Sequence, residues 1–145
     1  MAKYVKTEQG YQEYREVEAV NSNKMNANNP VGTGSFSMGR KSSSLIGISS
    51  HAEGDNTTAS GDQSHAEGFG TTASAVNSHA EGGNTTASGS RSHAEGSNTA
   101  ANGYCSHAEG SNTTASGDYS HAEGYNTTTS GNFSHAEGYN TTASG

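Results

Sequence analysis

Ser106-His107-Ala108-Glu109-Gly110-Ser111-Asn112-Thr113-Thr114-Ala115-Ser116-Gly117-Asp118-Tyr119 is one copy of a fourteen-residue unit that recurs without a gap from Ser50 onward. The pentapeptide Ser-His-Ala-Glu-Gly occurs seven times, with its histidine at His51, His65, His79, His93, His107, His121 and His135. A fixed period of this length is the signature of a repeat architecture, in which every copy occupies the same environment. The unit also halves: Ser-His-Ala-Glu-Gly-x-Asn and Thr-Thr-Ala-Ser-Gly-x-x share the pattern small-x-Ala-x-Gly-x-x. Five alternating positions followed by two turn residues read as a short strand and a tight turn. Two such halves per unit predict a narrow, two-sided β-solenoid.

The alternation assigns the faces. Opposed strands in so small a coil admit only small side chains, so Ser50, Ala52, Gly54, Thr57, Ala59 and Gly61, with their equivalents, are expected inside. His51, Glu53, Thr58 and Ser60 are expected outside, His and Glu on one sheet and Thr and Ser on the other. Asn56, Asn84, Asn98, Asn112, Asn126 and Asn140 fall at one turn, with Gly70 as the exception. Asn and Gly tolerate left-handed backbone, so this corner is expected to need φ > 0.

Composition agrees and excludes much else. Leu, Ile, Val and Phe make up 11 of 145 residues, and no Leu, Ile or Met follows residue 50. Such a chain cannot build an ordinary globular core. No apolar run is long enough to span a membrane, and Met1 to Val20 carries no signal-peptide core. With Cys105 alone, an intrachain disulfide is excluded. Residues 51–145 hold ten acids and one base, Arg91, the reverse of a nucleic-acid-binding surface.

The repeats resemble the heads of trimeric autotransporter adhesins, the YadA-like or haemagglutinin type, whose pattern is roughly N-S-V-A-I-G-x-x-S-x-A-x-G-x. The likeness covers about residues 35–145. It implies a homotrimeric, left-handed parallel β-roll, with the two residues flanking the first alanine facing the trimer axis. Those positions here form a polar axial ladder of His51, Glu53, His65, Glu67, His79, Glu81, His93, Glu95, His107, Glu109, His121, Glu123, His135 and Glu137, where the family has Val and Ile. Residues 35–50 are expected as a degenerate first coil, with Phe36 and Met38 as an apolar plug in the His and Glu slots and a one-residue slip before residue 51. Residues 1–34 form a polar leader; Tyr11, Tyr14, Val17 and Val20 recur at three-residue spacing and predict a short helix over 8–20. The Ser-His-Ala-Glu-Gly variant is also similar to structural proteins of phages of Gram-positive bacteria, which implies a tail fibre or spike, or else a bacterial cell surface.

The expected function is attachment by a rigid binding module with no catalysis and no cofactor. No serine or threonine holds a special place, since all recur alike. The His/Glu array could ligate a metal, but a site repeated at every coil reads first as a structural ladder, and no metal is expected. The outward Thr and Ser ranks suggest an ice-binding solenoid as an alternative function. Recognition of a surface glycan or protein is expected at the variable turns, where Phe69, Tyr104, Tyr119, Tyr125, Phe133 and Tyr139 lie.

Overall fold

The computed structural model describes residues 3–7, 10–14, 36–40 and 46–145, with side chains described from Ile46 on. From residue 46 the chain winds as a parallel β-solenoid of fourteen-residue coils. The five-residue strands β5 (His65–Phe69), β7 (His79–Gly83), β9 (His93–Ser97), β11 (His107–Ser111) and β13 (His121–Tyr125), followed by the two-residue β15 (His135–Ala136), stack on one side. The two-residue strands β6 (Thr72–Ala73), β8 (Thr86–Ala87), β10 (Ala100–Ala101), β12 (Thr114–Ala115), β14 (Thr128–Thr129) and β16 (Thr142–Ala143) stack on the other. The longer β4 (His51–Ala59) runs through the first corner and joins both stacks. Pairing is parallel and in register, so His107 lies beside His93 and His121, and Thr114 lies beside Thr128.

The expected interior is correct for five of its six columns. Ser64, Ala66, Thr71 and Ala73, with their equivalents in the neighbouring coils, are almost completely buried. Serines cap their own turns: Ser64, Ser78, Ser106 and Ser120 each donate to the carbonyl three residues back, at 2.6–2.8 Å. The second glycine column, typified by Gly103 and Gly117, is buried too. The first is not, which corrects the sequence reading. Gly68, Gly82, Gly96, Gly110 and Gly124 are exposed, with φ between +103° and +106°. They are glycine for lack of room along the stack: a Cβ on Gly96 would stand 2.1 Å from the carbonyl oxygen of Gly110.

The asparagine corner has left-handed backbone as expected, from φ +54° at Asn98 to +60° at Asn56, with Gly70 at +67°. The opposite corner is left-handed as well, at Gln63, Asn77, Arg91, Cys105, Tyr119 and Phe133. Bulky residues are disfavoured there by local sterics. A hydrogen-bonded ladder holds them: each N–H donates to a carbonyl of the preceding coil, as in Arg91 to Val76 at 3.0 Å and Tyr119 to Tyr104 at 2.7 Å.

Toward the N-terminus, β3 (Phe36–Arg40) pairs in parallel with β4, placing Phe36 opposite His51 and Met38 opposite Glu53, with an irregularity between Met38 and Arg40. The expected helix over 8–20 is overturned at its start. Strands β1 (Lys3–Thr7) and β2 (Gly10–Tyr14) pair antiparallel, Thr7 opposite Gly10 and Lys3 opposite Tyr14. Tyr4, Val5, Thr7, Tyr11 and Tyr14 are β-formers, and their pairing outweighs the three-residue spacing. Residues 15–20 lie outside the described residues.

Candidate functional site

Parallel in-register stacking converts one histidine per unit into a continuous column. Successive rings from His51 to His135 stand 4.6–4.9 Å apart, centroid to centroid, with planes within 3–8° of parallel. The glutamate two residues on projects from the same face, so a carboxylate column runs alongside. Within one coil, Nε2 to carboxylate distances are 3.3 Å for His51–Glu53, 3.4 Å for His65–Glu67, 3.6 Å for His107–Glu109 and 3.9 Å for His135–Glu137. His93 contacts two coils at once, Glu95 at 3.7 Å and Glu81 at 3.8 Å. The His and Glu residues named from the sequence therefore lie along one face of the solenoid, with Glu137 just past the end of β15.

The column is outward-facing but only partly wet. The His93 side chain keeps 34% of its accessible surface, against 54% for His135 in the last coil. The Nε2 atoms of His65, His79, His93, His107 and His121 are themselves covered, yet make no well-aligned hydrogen bond among the described residues. Burial pushes the imidazole pKa of His65, His79 and His93 below the ordinary 6.5. Charge on the next ring of the column acts the same way, and the flanking glutamates oppose it. A ladder of imidazolium–carboxylate pairs would raise these values, so burial biases His65, His79 and His93 toward the neutral imidazole.

The variable corners carry the aromatics in two clusters. At one corner Tyr119 and Phe133 stack at 5.1 Å, Tyr104 meets Tyr119 edge-on at 5.4 Å, and the Arg91 guanidinium lies over Tyr104 and donates to its hydroxyl. At the other, Tyr125 and Tyr139 stack at 5.4 Å. Phe69 stands at that second corner with Asp55 and Gly83 as its neighbours in register. Phe133 and Tyr139 are 78% and 71% exposed. Cys105 is half-buried at the first corner. On the second sheet the Thr rank (Thr58, Thr72, Thr86, Thr114, Thr128, Thr142) is interrupted by Ala100, and its Ser rank by Asn102.

Two features escaped the sequence reading. The left-handed second corner is occupied by Gln, Asn, Arg, Cys, Tyr and Phe in turn, so residue type gave no signal. The buried hydroxyls of Thr57, Thr71, Thr85, Thr99, Thr113 and Thr127 have no hydrogen-bond partner among the described residues. The alternation placed these side chains inside but was silent about their oxygen atoms.

A coil of small residues, stacked in register and presenting one invariant polar face, defines a structural β-solenoid repeat module. The YadA head domain repeat matches residues 46–64, 52–73, 80–104 and 108–128, about half of the chain, and the chain belongs to that family. No curated protein matches it significantly.

Proposed function

We propose that three copies of this chain pack side by side as a left-handed β-roll, with the His/Glu sheet of each turned toward a common threefold axis. The assembly is a rigid head or stalk segment of a phage tail fibre or bacterial surface adhesin, and it attaches to a surface glycan or protein. One observation carries the reading: the His/Glu face is identical in all seven copies although it points outward, whereas the corners vary from coil to coil. A face that met only solvent would be free to vary in the same way.

Three further features support it. The interior holds only Ala, Ser, Thr and Gly over most of its length, so each coil buries little apolar surface. A repeat stack so poor in core is commonly completed by oligomerisation. The family's heads form trimers. Phe36 and Met38 fall in register with His51 and Glu53, so the apolar plug read from the sequence belongs at the N-terminal end of the proposed axis. The aromatic corners, Tyr119 and Phe133 above all, are the surfaces offered to a receptor.

Multi-angle light scattering on the purified chain tests the assembly. The expected mass is three times the 14.8 kDa of one chain. A single-chain mass across the micromolar range would overturn the proposal.

A further inference from the structure

The stacked register does more than align like with like: it brings donors of adjacent coils around common points. His93, Glu95 and His107 each offer a ligand atom, all within 4.8 Å of one another. The same holds for His107, Glu109 and His121, and for His121, Glu123 and His135. We propose that these triads bind divalent transition ions such as Zn²⁺, each ion held by two imidazole nitrogens of adjacent coils and one carboxylate oxygen.

Two imidazoles and a carboxylate are an established donor set for zinc, with bonds of about 2.0–2.2 Å. Ligand atoms around a tetrahedral ion then stand about 3.3–3.5 Å apart. Within a coil the chain is already close to this, at 3.7 Å for His93–Glu95 and 3.6 Å for both His107–Glu109 and His121–Glu123. The second histidine must swing inward by about 1.4 Å or less to close the triad. Its half-exposed ring allows that. The Nε2 atoms of His93, His107 and His121 are covered and lack a well-aligned hydrogen-bond partner among the described residues, so ligation displaces no hydrogen bond there. On the single chain an open groove lined by Glu109, Glu123 and Glu137 runs beside the triads.

Stoichiometry follows from overlap. His107 and His121 each belong to two triads. At most two triads can fill together, the one at His93–Glu95–His107 and the one at His121–Glu123–His135. Two coils, about 9.6 Å, then separate the ions, close to one screening length at ~0.1 M salt. Every donor of a triad belongs to one chain, so the inference does not depend on trimer formation.

The test is equilibrium dialysis of the full, untagged chain, freed of metal by a chelator, against Zn²⁺ alone. Two ions per chain are expected. His107→Ala should leave one, through the His121–Glu123–His135 triad, and His107→Ala/His121→Ala should leave none. His65→Ala, outside the triads, should still bind two. Circular dichroism checks that each variant folds. The isosteric pair Glu95→Gln/Glu123→Gln serves if the histidine variants do not, and should reduce binding to one ion, at Glu109. No binding, seven ions per chain, or unchanged binding in the double histidine variant would each overturn the proposal. Two ions per three chains would also overturn it, by placing the metal on a shared axis. Light scattering on the same metal-free samples reports the assembly separately, so the two proposals fail independently.

Discussion

Replacing the interior threonines by valine should stabilise the roll. Thr85 and Thr99 are 0% and 2% exposed, and their hydroxyls find no hydrogen-bond partner among the described residues. Burying a hydroxyl without a partner costs about 1–3 kcal/mol by mutational measures. Valine keeps the branched shape and puts a methyl where the hydroxyl was. Thr85→Val and Thr99→Val should therefore each raise the unfolding free energy by about 1–3 kcal/mol. The chain supplies its own control. Thr129 occupies an alanine slot, is equally buried, and donates to Ser120 Oγ at 3.0 Å. There the same substitution loses a hydrogen bond worth ~1 kcal/mol and gains a methyl worth ~0.8 kcal/mol, for a net change near zero. Urea unfolding at one fixed protein concentration provides the comparison, since assembly makes stability concentration-dependent. A loss of stability at Thr85 or Thr99 equal to or larger than that at Thr129 would refute the reasoning, because it would mean that those hydroxyls are bonded inside the roll.

Other outcomes follow from the corners and the histidine column. Gly96→Ala places a Cβ 2.1 Å from the Gly110 carbonyl oxygen at φ +104° and should cost more than about 2 kcal/mol, read as a fall in melting temperature; an unchanged melting point would show that the coils are not stacked this closely. For His65, His79 and His93 the folded pKa lies below the unfolded 6.5, so the unfolded chain binds more protons between the two values. Their contribution is complete above about pH 6.5 and is lost as pH falls through the lowered folded values. Melting temperature in the presence of chelator should drop over that window, and a flat profile between pH 7 and pH 5 would contradict the burial of these three imidazoles.

The strength of the repeat decided how much of this was legible in sequence. Ala66, Thr71 and Ala73 are inside and His65, Glu67 and Thr72 lie outside because strand alternation leaves no other arrangement in so small a coil. The left-handed corner at Asn98 was readable because Asn and Gly favour that backbone. The one at Tyr119 was not, because inter-coil hydrogen bonds, rather than residue preference, hold it. Gly96 was misplaced for a related reason: alternation sees a small residue, whereas the requirement is backbone approach from the next coil. Strand alternation was enough to put His and Glu on one face, but the lowered pKa of His65, His79 and His93 was not readable, because it comes from burial in the stacked column. Without a repeat, the leader's spacing competed with the β preference of Tyr11 and Tyr14 and misled.

The central claim is that the His/Glu sheet, and not the Thr/Ser sheet, is the face on which copies meet. Two doubly substituted chains decide it by solution mass: His93→Asp/His107→Asp, which sets new carboxylates beside Glu95 and Glu109, and Thr86→Asp/Thr114→Asp on the opposite sheet. Unpaired like charges in a closed interface are destabilising by several kcal/mol, whereas on a solvated face they are nearly neutral. The histidine variant should fall from a three-chain to a one-chain mass while the threonine variant stays at three. Loss of assembly in the threonine variant alone, or equal behaviour of the two, would contradict the assignment of the faces.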